Sequence, residues 1–518
     1  MPDQTQETAL AGGAIFDALL DAARKYGPSK PILEDQERTP LSYNDLIRAS
    51  FALGRKIAAL TKPGERVGVL LPSSSGAAVT FFALQAYGRT PAMLNFTAGL
   101  RNLRAAVKLA GVRRVLTSHR FIEQGKLHDI TDALEEHCEI TYLEDVRKTI
   151  GGPDRVRALA TSFFARQARA KLKPSDPGVI LFTSGSFGAP RGVVLTQANL
   201  VANADQVATH IPLDPAWVFF NPLPVFHCFG LTAGVLLPIL HGLKAFQYPS
   251  PLHVKAIPSL IKDVGASVLL ATDTFVNQYA RSSEMGEMGC LKFIVCGAEK
   301  VREETHNLVA ERCGPAPVLE GYGATECSPV IAVNKPDDNR RGTVGALLPG
   351  IRTRVEPVPG ISRGGRLLVA GPNVMAGYLE SDGGLEPPVD GWHDTGDVVE
   401  ISRDGWITIL GRVKRFAKIG GEMVSLAAAE DLAAGLWPTA RHAVIALPDK
   451  RKGERLILVT ECAGAEVGKL IAYAQSLGAP EIAAPRRIVK VEDVPVLGSG
   501  KTDYVAVQRM AEADSDAA

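Results

Sequence analysis

The stretch Val179-Ile-Leu-Phe-Thr-Ser-Gly-Ser-Phe-Gly-Ala-Pro-Arg-Gly192 joins an apolar run to a loop of small and hydroxyl-bearing residues that ends in a cation. The apolar run predicts a buried strand. Glycines let the backbone N–H groups of such a loop turn toward an anion, and hydroxyls add further donors. A Gly/Ser-rich loop alone is usually only a turn, but the strand before it and the cation after it favour phosphate binding. The side-chain donors are those of Thr183, Ser184, Ser186 and Arg191.

Short apolar runs alternate with helical patterns on both sides of this loop. Residues 66–71 predict a buried strand and residues 77–87 predict a helix. The runs 267–270 and 293–295 repeat the strand pattern further along the chain. This alternation predicts an α/β architecture.

The last hundred residues predict a separate small lobe. A boundary is expected near Gly411–Lys414, and the strand-like runs at 443–447 and 456–461 beyond it are expected to belong to this lobe. The small and polar tail at 511–518 predicts disorder.

Composition and charge exclude several classes of protein. The 518 residues include 57 Lys plus Arg and 56 Asp plus Glu, and this near-neutral balance argues against a nucleic-acid partner. Seven cysteines without a Cys-x-x-Cys pair, and an N-terminus without a basic leader, predict a protein of the reducing cytoplasm. The uncharged stretch Pro215–Leu243 contains prolines that would break a spanning helix, so it predicts buried core around a site and no transmembrane segment.

Six further motifs follow the loop in order over about 320 residues. Together with the loop they resemble the signatures of the adenylate-forming (AMP-binding) superfamily, which includes acyl-CoA synthetases, nonribosomal adenylation domains and luciferases. The order and number of the motifs make a chance match very improbable. The motifs are Leu223-Pro-Val-Phe-His-Cys-Phe-Gly230, Gly297-Ala-Glu299, Gly321-Tyr-Gly-Ala-Thr-Glu326, Trp392-His-Asp-Thr-Gly-Asp397, Gly411-Arg412 and Gly498-Ser-Gly-Lys501.

The resemblance implies a fold and a division of the chain. Residues 1–411 are expected to form a large N-terminal domain of two α/β sheet subdomains plus a distorted β-barrel, which binds the nucleotide and the acyl group. Residues 412–518 are expected to form a small α+β lobe that carries the catalytic lysine and rotates about Lys414. Segments such as Ala92–Gly99 and Arg412–Lys418 resemble, within the superfamily, the synthetase part of the bacterial 2-acylglycerophosphoethanolamine acyltransferase/acyl-ACP synthetase.

The resemblance also implies roles for residues around the reacting groups. Lys501 would bridge the substrate carboxylate and the α-phosphate of ATP, and His227 would lie beside the carboxylate. Thr325 would contact the α-phosphate, and Glu326 would ligate Mg²⁺ as a hard oxygen donor.

Further residues would bind the nucleotide. In this sequence the loop has Phe187 where Thr is common and Arg191 where Lys is usual, and Arg191 keeps the charge and offers a two-pronged donor. The residues expected at the phosphates are Thr183, Ser184, Gly185, Ser186, Gly188 and Arg191, and those at the adenine are Gly297, Ala298, Glu299 and Tyr322. Asp397 is expected at the ribose, and Arg412 at the ribose or the phosphates.

The implied activity is ATP-dependent activation of a fatty acid through an acyl-adenylate, followed by transfer to a phosphopantetheine thiol. The main prediction is a fatty acyl-ACP synthetase with acyl carrier protein as acceptor. The alternatives are a fatty acyl-CoA synthetase and a non-catalytic subunit that binds nucleotide or acyl groups. The run at 155–173 holds six cations and no acid, which is typical of a solvated helix face or of a docking surface for an acidic partner.

Overall fold

The computed structural model describes residues 13–184, 190–361, 363–419, 422–449, 453–497 and 501–516. Its first part alternates helices with short strands, as the sequence predicts. Helix α2 begins with a capping box, in which Ser42 Oγ accepts from the Asp45 N–H at 3.2 Å and the Asp45 carboxylate accepts from the Ser42 N–H at 3.1 Å. The elements are α1 (Ile15–Tyr26), β1 (Pro31–Asp35), β2 (Leu41–Ser42), α2 (Tyr43–Ala58), β3 (Arg66–Val69), α3 (Ser75–Ala86), β4 (Thr90–Met93), α4 (Leu100–Ala110), β5 (Arg114–Thr117), α5 (His119–Gly125), α6 (His128–Glu135), β6 (Glu139–Tyr142), α7 (Leu143–Lys148), α8 (Gly152–Phe163), α9 (Ala165–Ala168) and β7 (Pro177–Ser184).

The middle of the chain continues this pattern and adds a π-helix at Phe229–Leu236. A π-helix is rare and usually marks a functional site. The remaining elements of this part are β8 (Pro190–Thr196), α10 (Gln197–His210), β9 (Val218–Asn221), α11 (Leu237–Leu240), β10 (Lys244–Gln247), α12 (Ile257–Val264), β11 (Val268–Ala271), α13 (Asp273–Ser282), β12 (Phe293–Cys296), α14 (Glu303–Arg312), β13 (Val318–Gly323) and β14 (Val330–Val333).

The last part of the chain is strand-rich up to Arg412 and then forms the small lobe. Its elements are β15 (Ala346–Leu347), β16 (Arg352–Glu356), β17 (Gly365–Ala370), β18 (Gly377–Leu379), β19 (Leu385–Glu386), β20 (His393–Ile401), β21 (Ile407–Arg412), β22 (Phe416–Ile419), β23 (Glu422–Ser425), α15 (Leu426–Leu436), β24 (His442–Asp449), β25 (Gly453–Thr460), α16 (Val467–Ser476), β26 (Arg487–Lys490) and α17 (Tyr504–Asp516).

Two large mixed sheets form the centre of the molecule. One has the order β15-β14-β13-β12-β11-β9-β10-β1-β2, and the other has the order β19-β18-β8-β7-β4-β3-β5-β6. Strands β9 to β13 pair in parallel, with Leu269 opposite Ile294 and Ile294 opposite Val318. Parallel strands covered by helices on both faces are typical of α/β proteins.

Two smaller sheets complete the fold. Strands β16-β17-β20-β21 form an antiparallel sheet, and the bridge between Ala346 and Trp406 connects it to the nine-stranded sheet. In the small lobe, β23-β22-β25-β24 with β26 beside β25 pack against α15, α16 and α17 around a separate core. The predicted α/β fold, with a large N-terminal part and a small α+β lobe, is confirmed.

One sequence-based expectation about the small lobe is wrong. The tail predicted to be disordered continues as α17 to Asp516, and Val507 and Ala511 of this helix are fully buried. The two apolar positions are four residues apart and face the lobe's sheet. Among the described residues, no helix has both the length and the apolar composition that a membrane span requires.

Candidate active site

A cavity of about 1210 Å³, including its solvent-open mouth, lies at the carboxyl ends of the parallel strands β11, β12 and β13. Ligands of open α/β sheets bind at this edge because the loops that follow the strands converge there. The cavity brings together residues that the sequence analysis assigned to one site from distant motifs. The predicted site residues on its wall are His227, Gly297, Ala298, Tyr322, Thr325 and Lys501.

Lys501 reaches the cavity from the small lobe, although it lies 274 positions after His227 in the chain. Its side chain is exposed at the cleft, and nearby protein atoms partly desolvate its ammonium group. This desolvation, followed by the charge of Arg412, lowers the pKa of Lys501. Lys300 Nζ holds Asp431 Oδ2 of the small lobe at 2.9 Å, and this contact joins the two parts of the molecule beside the cleft.

His227 is an uncharged ring at the cavity wall at neutral pH. Burial, and then the nearby charge of Lys501, lower its pKa to about 4. The ring packs against Phe226, with centroids 4.7 Å apart. Because the His227 imidazole is neutral, the positive charge on this wall of the cavity is that of the Lys501 ammonium.

Asp397 is the centre of a hydrogen-bonded group on the strand β20. The Tyr322 hydroxyl donates to Asp397 Oδ2 at 2.6 Å, and Arg412 Nε donates to Oδ1 at 2.7 Å. The antiparallel register places Asp397 opposite Arg412 across β20 and β21. Burial alone would lower the pKa of Arg412, but the charge and hydrogen bond of Asp397, together with Tyr322 and Glu326, raise it above its usual value. The Arg412 side chain remains 61% exposed, so its guanidinium has free donors toward the cleft.

Glu326 lies next to Thr325 in a short 3₁₀ turn (Thr325–Cys327), and its carboxylate contacts Tyr378. The Tyr378 hydroxyl donates to Glu326 Oε1 at 2.7 Å. Burial, and then the charge of Glu326, raise the pKa of Tyr378, so the phenol stays protonated and acts as the donor. The guanidinium of Arg191 stacks 3.3 Å above the ring of Tyr378 and pairs with Glu386 at 3.1 Å.

The predicted phosphate loop is the connection of the β7–β8 hairpin. Thr183 of β7 is paired with Arg191 of β8, and Arg191 lies over the ring of Tyr378, whose hydroxyl contacts Glu326. Ser184 is the last residue of β7. Gly185, Ser186 and Gly188, together with Phe187, lie outside the described residues.

Glu299 is turned away from its motif partners. Gly297 and Ala298 line the cavity, and Ala298 has a φ of 73°, a left-handed conformation that redirects the chain. Glu299 accepts from the Thr274 N–H at 3.1 Å, at the first turn of α13, where a carboxylate is favoured by the helix dipole. Desolvation raises the pKa of Glu299.

The inner part of the cavity is apolar and borders the π-helix. Asn221 Nδ2 donates to the Gly230 carbonyl at 3.1 Å, and Gln247 Nε2 donates to the Gly234 carbonyl at 2.7 Å. A Cβ at Gly234 would lie 2.1 Å from Asn221 Nδ2, so the buried Asn221 amide needs glycine beside it. The wide helical turn places Ala233 on the cavity wall.

Sequence reasoning missed two sets of site residues. Tyr378 and Glu386 stand outside the recognised motifs, and nothing in the local sequence singles them out. The second set lines the cavity from α10 and its C-terminal extension and from β9, α11 and β12, at positions that none of the recognised motifs contains. These inner residues are Val207, Ile211, Leu213, Phe219, Leu237 and Phe293.

The profile of the AMP-binding enzyme family matches residues 19–379, and the chain belongs to this family. The protein is an ATP-dependent acid–thiol ligase that works through an acyl-adenylate. Among curated proteins it is similar to the long-chain-fatty-acid–CoA ligase of Salmonella typhimurium, with 26% identity over 442 residues, 77% of this chain and 76% of the relative. It is also similar to the feruloyl-CoA synthase of an Amycolatopsis species, with 26% identity over 489 residues, 89% of this chain and 92% of the relative.

Solved structures show the same fold. ATP-bound MatB from Rhodopseudomonas palustris has a TM-score of 0.82 and 24% identity, covering 96% of this chain and 98% of that chain. The o-succinylbenzoate–CoA synthetase MenE from Bacillus subtilis, in complex with ATP and magnesium ion, has a TM-score of 0.78 and 19% identity, covering 94% and 98%. The two curated relatives and MenE carry the names of CoA ligases or synthetases, so the resemblance to the acyl-ACP synthetase branch stays a prediction.

Proposed function

We propose that this protein activates a fatty acid and transfers the acyl group to the thiol of coenzyme A. A carboxylate oxygen of the acid attacks the α-phosphorus of ATP, pyrophosphate leaves, and the acyl-adenylate forms. The thiol then attacks the acyl carbon, loses its proton, and releases AMP. The observation that carries the proposal is one cavity with a cationic, hydrogen-bonding mouth and an uncharged apolar interior.

The apolar interior supports an alkyl substrate. Among the described residues of the wall, Lys501 is the charged side chain, and it lies at the mouth beside His227. Each methylene of an acyl chain that leaves water for such a wall gains about 0.8 kcal/mol. A second carboxylate or an amine on the substrate would lack a partner there and would bind with a desolvation penalty.

Lys501 and Arg412 supply the positive charge that the first step needs. The attacking carboxylate is already an anion, so the protein has to position it and to neutralise charge on the α-phosphate oxygens. We assign this role to the Lys501 ammonium, with Thr325 as a hydrogen-bond donor to the α-phosphate. His227 is uncharged. It can therefore lie beside the substrate carboxylate without competing with the Lys501 ammonium for its negative charge.

The group around Asp397 suits the ribose. The carboxylate is held in place by Tyr322 and Arg412 and keeps lone pairs for two hydroxyl donors. The ring of Tyr322, with Gly297 and Ala298, offers a flat wall for the adenine. We assign Glu299 an indirect role in the adenine site: it binds the first turn of α13 and does not contact the cavity.

Glu326 fits a magnesium site that is completed by the phosphates of ATP. Mg²⁺ is usually bound by one or two carboxylates, with water and phosphate oxygens as the other ligands. Glu326 uses one oxygen for Tyr378 and has the other available, and the described residues hold no cluster of three or more acidic, His or Cys ligands that would form a closed cage. The bound ion would neutralise phosphate charge. We assign the β- and γ-phosphates to the loop from Thr183 to Arg191.

Other observations support the choice of thiol acceptor and of cellular compartment. The sequence motifs favour acyl carrier protein as the acceptor, but we favour CoA because the similar curated proteins are named as CoA ligases or synthases. The seven cysteines are unpaired, which supports a reducing compartment such as the cytoplasm. We place the domain boundary at residues 411 and 412, where β21 meets the small lobe, and expect this lobe to rotate about Lys414 for the thiol step.

Pyrophosphate release tests this function. Purified protein is supplied with ATP, Mg²⁺ and a series of straight-chain acids, without acceptor, with CoA and with holo-acyl carrier protein. Acid-dependent release that accelerates with CoA supports the proposal, and acceleration with the carrier protein alone would support the acyl-ACP alternative. The Lys501→Ala variant is expected to bind ATP but to release no pyrophosphate. If the parent protein also binds ATP without release for every acid, it is a binding subunit.

A further inference from the structure

Helix α8 presents an apolar stripe to solvent. Val156, Phe163 and Phe164 are 67%, 74% and 65% exposed, and Leu159 is 40% exposed. Val156, Leu159 and Phe163 are three, four and seven residues apart, so they lie on one face of the helix. Solvent-exposed apolar residues that form a contiguous patch commonly mark an interaction site.

The opposite face of α8 is attached to the protein mainly by small and polar groups. Ala158 is buried, and Asp154 pairs with Arg55 at 3.1 Å and with Lys56 at 2.9 Å on α2. The helix therefore turns its more apolar side to water and its more polar side to the protein. This orientation is the reverse of what burial in the fold would produce.

Cations flank the stripe on both sides. At 100° per residue, Arg155 and Arg157 lie roughly a quarter to a third of a turn to either side of it. Neither forms an ion pair with a residue that the structure describes. The following segment adds exposed Lys171 and Lys173, whereas Arg166 pairs with Asp21 of α1.

We propose that this surface, the α8 patch (Val156, Leu159, Phe163, Phe164 and the flanking Arg155 and Arg157), binds the surface of an anionic lipid bilayer. A helix with an apolar strip between cations lies in the plane of the interface, with its aromatic side chains among the acyl chains and its arginines at the headgroups. Each cation near an anionic surface adds about 1 kcal/mol of attraction. The surface would hold the enzyme where an apolar acid partitions.

The geometry favours a bilayer over an acidic carrier protein. A carrier must dock where its thiol arm can enter the active site, and none of the described residues that line the cavity belongs to α8 or α9. The patch is the convex side of one helix, with its apolar and basic groups arranged in parallel strips. The inference does not depend on which acid or acceptor the enzyme uses.

Vesicle binding by the full chain tests this inference. Sucrose-loaded vesicles of phosphatidylcholine, with and without phosphatidylglycerol, are sedimented with the protein over a range of lipid concentrations. We expect binding to the anionic vesicles that weakens with salt, since surface charge is screened. The double variant F163S/F164S and the double variant R155Q/R157Q are each expected to lower the apparent affinity by roughly tenfold or more.

Matched controls separate the patch from general surface effects. M285S removes a methionine that is 69% exposed elsewhere, and R101Q removes an exposed arginine, so both are expected to sediment like the parent. Pyrophosphate release with a short, water-soluble acid is expected to be unchanged in all variants and reports that they are folded. If the proposed function is wrong, no variant releases pyrophosphate, but vesicle binding can still be measured. A thermal unfolding curve then serves as the check that the variants are folded.

Three outcomes would overturn the inference. The first is that the protein does not sediment with anionic vesicles. The second is that M285S and F163S/F164S lose the same amount of vesicle affinity. The third is retention on immobilised acyl carrier protein, or self-association, that depends on Phe163 and Phe164 while vesicles are not bound. That last result would assign the patch to a protein partner.

Discussion

The hydroxyl of Tyr378 donates a 2.7 Å hydrogen bond to Oε1 of Glu326, while the face of its ring carries the guanidinium of Arg191. One tyrosine from β18 thus connects the proposed metal ligand with the cation at the end of the phosphate loop. Neither contact involves the reacting atoms. Tyr378 is therefore a positioning residue, and its two contacts can be separated by substitution.

Replacing Tyr378 with Phe removes the hydrogen bond and keeps the ring under Arg191. We expect the Mg²⁺ concentration that gives half-maximal pyrophosphate release to rise by about tenfold, because groups that orient a metal ligand contribute on this scale. The measurement is a magnesium titration at saturating ATP and acid. Tyr142→Phe, on the distant strand β6, is the matched control, and an identical titration in Tyr378→Phe and parent would contradict the assignment.

Replacing Asp397 with Asn removes the negative charge that faces Arg412. It also replaces one of the two acceptor oxygens of the carboxylate with an NH₂ donor. Hydrogen bonds to charged groups contribute roughly 1.5–3 kcal/mol, so we expect the KM for ATP to rise by about tenfold to a hundredfold. The KM for the acid should change little, because the acyl wall is elsewhere. Asp394→Asn, which changes a half-exposed carboxylate on the same strand, is the control. A similar rise in both variants would argue against a ribose site at Asp397.

Replacing Ala233 with Leu adds bulk to the inner wall of the cavity. We expect long-chain acids to lose at least about tenfold in kcat/KM, since several methylenes are displaced at about 0.8 kcal/mol each, whereas short acids change little. The measurement is pyrophosphate release over the chain-length series. Ala472→Leu, on the exposed side of α16, is the control for added volume. An equal decrease for short and long acids would mean that the cavity interior does not hold the alkyl chain.

The alkaline limb of adenylation should report on Lys501. Its ammonium must be protonated to counter anionic charge, and desolvation together with Arg412 lowers its pKa from the usual value near 10.5. Activity is therefore expected to decline as pH rises at a lower pH than for an ordinary lysine. In Lys501→Arg the guanidinium stays charged, so the limb should move to higher pH even if the maximal rate is smaller. The test is the pH profile of pyrophosphate release, and an unmoved limb would assign it to another group.

Residues of one motif do not all reach the cavity, whereas residues of distant motifs meet there. The motifs identified His227, Tyr322, Thr325 and Lys501 from local sequence, and the fold brings them to one cavity. Glu299 belongs to the same motif as Gly297 and Ala298, but the left-handed turn at Ala298 directs it to α13. A motif specifies which residues are neighbours in the chain, whereas backbone dihedrals decide which of them face the ligand.

The sequence by itself determined the α/β architecture and the division into a large part and a small lobe, and it named several of the side chains that the fold brings to the cavity. These depend on hydrophobic periodicity and on short motifs, which are local properties of the chain. Only the tertiary structure decided that Tyr378 contacts Glu326, that α10 and the π-helix line the cavity, and that α8 turns its apolar stripe outward. Each of these features depends on packing between segments that are far apart in the sequence. The shape and position of the neighbouring segment decide which side chains meet, and the residue type alone does not predict them.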